Sequence, residues 1–199
     1  MMNALASRVL GPICIMLVMS FQAVAAEEPA ALIERLGGQA IGIVANGADT
    51  TDDKQKKFEA LFDEGFDVPL VAQIVLGRYW RTATAEQRDE FVNLFHKYII
   101  STYASRLNAY SGQTFAVTGE QRLNDDEVMV KSVVKDPGGP DLKVDWRVLN
   151  RNGENRIVDV YVEGVSMAVT HRSEFASVIA QTGQVETLLE RLRSQTGQG

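Results

Sequence analysis

Cysteine is almost missing from this chain: of 199 residues only Cys14 carries a thiol. It lies in an N-terminal apolar run behind Gly11-Pro12-Ile13, without the small residues that a lipoprotein signal needs just before its cysteine. Downstream of it there is no disulfide, no thiol nucleophile and no thiolate metal site. Histidine is nearly as scarce. His96 and His171 cannot build a zinc site by themselves and neither sits in an H-E-x-x-H setting, so no metal and no cofactor is expected, and both rings are expected to be solvated. The chain has no phosphate-cradling glycine loop, and the acidic clusters Asp52-Asp53 and Asp125-Asp126-Glu127 lack the alternating ligand spacing of a calcium loop. There is no run of Lys or Arg, and the formal net charge is −6. That balance excludes a nucleic-acid partner and simple electrostatic adhesion to anionic lipid.

What is there begins with Arg8, an apolar run from Val9 to Met19, and the small residues Ala23-Val24-Ala25-Ala26 ahead of Glu27-Glu28. This is the order of a secretory signal peptide, residues 1–25, with Ala26 as the alternative end. The run is broken by Pro12 and falls well short of the roughly 20 apolar residues that a membrane span requires. An exported, periplasmic address is therefore expected. Residues 26–199 are expected to form a single domain, since 45% apolar composition argues against disorder. No heptad seam asks for more than a monomer.

Helical signals fill the first half. Helices are expected over 30–44, with Pro29 in the first turn, and over 52–64, burying Phe58, Leu61 and Phe62; a short one over 69–76 is stopped by Gly77. Thr84 and Gln87 have the spacing of a capping box. Phe91, Leu94, Phe95, Tyr98 and Ile99 follow at helical spacing, with Tyr103, Leu107 and Tyr110 extending the stripe to Gly112. The second half reads as a meander of about four antiparallel strands. Val144, Trp146 and Val148 alternate with polar residues, and Asn152-Gly153 is a hairpin turn. Ser173 is expected to cap a helix holding Phe175 and Ile179, and Gly183 precedes a last helix with Leu188, Leu189 and Leu192. The fold class is α+β, a curved antiparallel sheet packed against several helices.

Candidate chemistry is thin. Gly164-Val165-Ser166-Met167-Ala168 approaches a nucleophile elbow but fails at Ala168, and no histidine stands well downstream of the serine, so Ser166 is read as a turn or capping hydroxyl. Asp159, between Val158 and Val160, is placed by strand alternation on the face opposite the valines. Arg81 and Arg147 are read as surface charges. The chain is thus expected not to be an enzyme. Its apolar side chains suit an ordinary core or a ligand cavity, and periodicity does not separate the two.

A resemblance bears on that choice. Phe66-Asp67-Val68-Pro69, Val75-Leu76-Gly77-Arg78-Tyr79-Trp80-Arg81, Thr84-Ala85-Glu86-Gln87-Arg88 and Glu90-Phe91 resemble the first half of the MlaC phospholipid-binding family, also called the toluene-tolerance auxiliary family. Tyr110-Ser111-Gly112-Gln113, Val144-Asp145-Trp146-Arg147 and the run from Asp159 to Met167 continue it. The resemblance implies a cone of the NTF2-like or cystatin-like kind with an apolar lipid cavity. It implies a periplasmic carrier that shields the acyl tails of a diacyl glycerophospholipid. Such a carrier shuttles lipid between an outer-membrane lipoprotein complex and the MCE-domain protein of an inner-membrane ABC transporter, maintaining outer-membrane lipid asymmetry. The tail contacts it implies are Tyr103, Val144, Trp146, Val160, Val162, Val165 and Met167, with Leu76, Trp80, Phe95 and Tyr98 from the helices. Carriage of a hopanoid-type lipid, a non-catalytic envelope adaptor, and a small lipid-modifying enzyme on the same cone are the alternatives; Glu163-Gly164-Val165-Ser166 leans toward the phospholipid branch.

Overall fold

The computed structural model describes residues 27–104 and 110–197; the expected signal peptide lies outside them. Six helices and five strands follow in the order α1 (Pro29–Ala45), α2 (Thr51–Gly65), α3 (Val68–Leu76), a 3₁₀ turn (Gly77–Arg81), α4 (Ala85–Ala104), β1 (Thr114–Arg122), β2 (Glu127–Lys135), β3 (Leu142–Arg151), β4 (Glu154–Val162), β5 (Val165–Ser166), α5 (Met167–Ala180) and α6 (Val185–Gln195). Among the described residues no helix is long and apolar enough to cross a membrane.

Local chemistry sets most of the helix starts. Pro29 occupies the first turn of α1, where its missing N–H is not needed. Thr50 and Asp53 close a capping box on α2, and Thr84 and Gln87 close one on α4, with both reciprocal bonds at 3.2 Å. The Asp67 carboxylate accepts from the Leu70 N–H at the start of α3. Gly77 ends that helix at φ 58°, which favours glycine, and a Cβ there would stand 2.9 Å from Cδ of Arg172, whose side chain would have to shift.

The sheet is an open antiparallel meander in the order β1-β2-β3-β4-β5. Asn152 and Gly153, at φ 55° and 80°, make the two-residue turn between β3 and β4. Bulges at Thr118 and Val158 shift the register and bend the strands, curving the sheet. Helix α1 crosses the sheet from the β3–β4 hairpin, where Asn155 Nδ2 donates to the Glu27 carbonyl, to the start of β1, where Gly37 meets Phe115.

Two apolar clusters result. One joins α3, α4, α5 and α6 around Phe91, Phe95, Phe175 and Leu189. The other joins α1 to the sheet through Leu32, Ile33, Leu36, Val130, Val148 and Ile157.

The expected antiparallel meander of about four strands is present, and the two residues of β5 extend it by pairing with Tyr161 and Val162. Two sequence expectations are corrected. Helix α5 begins at Met167, not Ser173: Ser166 is its N-cap, and Ser173 Oγ donates to the Val169 carbonyl within the helix. Helix α4 is described only to Ala104; Leu107 lies outside the described residues, and Tyr110 is not helical.

Candidate functional site

Between the two clusters lies a cavity of about 380 Å³. Each wall follows from a helical or strand period. From α1 come Ile33, Leu36, Gly37 and Ala40; from α2 Phe58, Leu61 and Phe62, with Phe66 after it; from α3 Val71 and Val75. Helix α4 contributes Phe95, Ile99 and Tyr103 at successive turns, and α5 contributes Met167, Ala168 and His171. The sheet supplies Trp146, Ile157, Asp159, Val160 and Val162. Apart from Asp159, His171 and the tyrosine hydroxyl, every wall side chain is apolar.

Of the residues singled out from the sequence, Tyr103, Trp146, Val160, Val162, Met167 and Phe95 line this cavity. Five do not. Val144 is buried on β3 opposite Val162 but is not part of the wall. Val165 is 55% exposed: in β5 it alternates with the buried Ser166 and falls on the solvent side. Leu76 is one position past Val75, about 100° around the helix, and faces the helical cluster instead. Trp80 lies in the 3₁₀ turn with the Arg88 guanidinium 5.6 Å from its ring. Tyr98 stands behind the wall, edge-on to His171 at 5.8 Å and Phe175 at 5.7 Å. Burial, reinforced by the Glu174 carboxylate, pushes its phenol pKa up, so it stays neutral.

Trp146 presents an apolar ring because its polar atom is tied to the sheet. Its Nε1–H donates to Ser132 Oγ at 2.9 Å, and Ser132 Oγ donates to the Val144 carbonyl at 2.5 Å. Asp159 departs from the alternation reading: it is only 6% exposed. The bulge at Val158 inserts an extra residue between the partners of Val148 and Arg147, which breaks the two-residue period there. Its carboxylate accepts from Ser166 Oγ at 2.5 Å, from the Ala168 N–H at 3.0 Å and from the Val160 N–H at 2.8 Å. Ser166 Oγ in turn accepts from the Val169 N–H at 3.0 Å. Asp159 and Ser166 together therefore pin the start of α5 to β4, a negative charge at a helix N-terminus.

The histidines are also corrected. His171 is 8% exposed; its Nδ1 lies 3.2 Å from Glu174 Oε2, and its buried Nε2 has no partner among the described residues. His96 is half-buried, its Nε2 2.7 Å from Asp63 Oδ1, linking α4 to α2. Arg147 forms a two-pronged bond to Glu127 at 2.7 and 2.8 Å. Among the described residues no three His, Cys, Asp or Glu side chains come together as a metal site would need.

The wall residues of α1 and α2 were not singled out as site residues. Phe58, Leu61 and Phe62 were expected to be buried, but a helical period says which face is covered, not what covers it. His171 had a usable signal: Ala168, His171 and Phe175 follow one another at i, i+3 and i+7, one face of a helix that starts earlier than Ser173.

Three comparisons bear on this architecture. An intermembrane phospholipid transport system binding protein, MlaC, of Haemophilus influenzae is 29% identical over 128 residues, 62% of this chain and 59% of that protein. Toluene tolerance protein ttg2D of Pseudomonas putida is 26% identical over 110 residues, 55% of this chain and 51% of its own length. The matched stretches thus span little more than half of these two relatives. The solved structure of a phospholipid-binding protein from Ralstonia solanacearum, in complex with a phospholipid, superposes with a TM-score of 0.76 at 25% identity, covering 86% of this chain and 98% of that one. The family model described as MlaC protein matches residues 34–194, most of the domain and nearly all of the cavity wall, and the chain therefore belongs to the MlaC family.

Proposed function

We propose that this protein is an exported periplasmic carrier that holds the acyl part of a phospholipid in the cavity between sheet and helices. One observation carries the reading: a cavity of about 380 Å³ whose wall is apolar apart from Asp159, His171 and the Tyr103 hydroxyl. Each methylene withdrawn from water is worth about 0.8 kcal/mol, so an acyl chain crosses an aqueous gap only inside such a wall. The phospholipid complex of the Ralstonia relative and the transport name of the Haemophilus relative support the same reading. In it the head group stays outside. The lipid passes between an outer-membrane lipoprotein complex and an inner-membrane ABC transporter bearing an MCE-domain protein, which maintains outer-membrane asymmetry. Release at either end requires a partner that offers the chain a better site or widens the cavity.

The test is native mass spectrometry of residues 26–199 purified from a bacterial periplasm, followed by organic extraction. A stoichiometric adduct of phospholipid mass is the expected result. A polycyclic lipid in the extract would replace the cargo. A bare mass that stays unchanged after incubation with phospholipid vesicles would overturn the reading in favour of an adaptor with no cargo.

A further inference from the structure

Helix α1 has a firm half and a loose half. Its fully buried residues, Leu32, Ile33, Leu36 and Gly37, all lie at or before Gly37. That half is also tied down from outside: Arg35 pairs with Glu27 and Glu64, and Asn155 holds the Glu27 carbonyl. From Gly38 to Ala45 no residue is buried, and the apolar Ile41, Ile43 and Val44 are only half-buried. The far end is held by Lys54 Nζ, which donates to the Val44 carbonyl at 3.0 Å.

The loose half carries glycines that its packing does not ask for. Gly37 is needed, since a Cβ there would stand 2.3 Å from the Phe115 ring. At Gly38 and Gly42 an added Cβ would meet nothing within 4 Å, and neither backbone is left-handed. Each glycine inside a helix shifts the local balance from helix toward coil about fivefold relative to alanine. Two of them within one short, shallowly packed segment place it at the low end of local stability, where moving parts of a fold are found.

This half also stands between two spaces. Ala40 faces the lipid cavity, while Gly42 and Ile43 face an open groove of about 390 Å³ between α1 and α2. Leu61 of α2 belongs to the wall of both. Where the second half of α1 moves off Leu61, groove and cavity become one opening.

We infer that residues Gly38–Ala45 form a strap, hinged at Gly37-Gly38, whose local opening makes a side passage between α1 and α2 through which acyl chains enter and leave. This rests on the carrier reading above and adds a route to it. The test replaces both unneeded glycines, Gly38→Ala with Gly42→Ala, in residues 26–199. Asn93→Ala, at an exposed position of α4, is the control: it also puts a better helix former into a helix, away from the strap.

In the parent, the amides of Ile41, Ile43 and Val44 should exchange with deuterium faster than that of Leu36. With both alanines present, strap opening should become rarer on the order of twentyfold. Exchange of those three amides slows by that factor, and so does release of head-group-labelled dioleoyl phosphatidylethanolamine from the loaded protein to dioleoyl phosphatidylcholine vesicles, while the amount loaded is unchanged. Asn93→Ala should alter neither rate. Parent strap amides that exchange no faster than Leu36 overturn the inference, as does release that keeps its parent rate while exchange slows. Release slowed equally by Asn93→Ala overturns it too, because lipid then leaves through unfolding of the whole domain. In each of these cases the carrier reading stands. A parent protein that loads no phospholipid overturns the carrier reading and the strap with it.

Discussion

Val162 and Trp146 define the sheet side of the cavity, and each reaches it by a different device. Trp146 turns an apolar face inward because Ser132 takes its N–H; Val162 needs only the strand period, two residues on from Val160 and opposite Val144. Val162→Trp should fill the space without displacing packed core. The expected stability stays within about 1 kcal/mol of the parent, while lipid co-purifying with the protein falls to near zero, read by denaturant titration and by extraction. A variant that still carries a full complement of phospholipid would remove Val162 from the site. At this scale the alternation of Val144, Trp146 and Val148 was readable in the sequence. The position of Asp159 was not, because a bulge leaves no compositional mark: nothing in Ile157-Val158-Asp159-Val160 says which residue is the extra one.

Among the elements, α5 shows how one misplaced boundary misplaces a residue. With Ser173 as the cap, His171 belongs to a loop and to water; with Ser166 as the cap it shares a buried face with Ala168 and Phe175. Ser166→Ala removes both the cap on Val169 and the hydroxyl donated to Asp159, and should cost about 1–2 kcal/mol. Hydrogen exchange should then quicken first in the opening turn of α5, and uniform quickening over the whole chain would show that the cap acts globally instead. Helix α1 offers the complementary case. Its extent could be read from Pro29 and its apolar period, but its approach to β1 could not. Gly37 lies where a Cβ would come within 2.3 Å of the Phe115 ring. Gly37→Ala should therefore force Phe115 or α1 to shift, at about 1–3 kcal/mol in chemical denaturation. A neutral result would mean that Phe115 swings aside freely.

For the whole molecule, α+β order, the meander and the helix count follow from periodicity, turns and caps, whereas the existence of a cavity does not. Apolar side chains facing one another look the same in sequence whether they touch or stand apart. Here the helical cluster around Phe91, Phe95 and Phe175 closes on itself, while α1 and the sheet form a second cluster, leaving the space between them to a ligand. A protein built this way lacks apolar contacts that cargo can provide, so lipid should stabilise the folded state. At a free lipid concentration of about 100 times Kd the gain is about 2.7 kcal/mol, which for a domain of this size raises Tm by about 5–10 °C. Thermal unfolding of the stripped chain with and without phospholipid measures it, with Val162→Trp as the control expected to show no shift. If the parent and the cavity-filled variant are stabilised equally, the lipid binds somewhere other than between the two clusters.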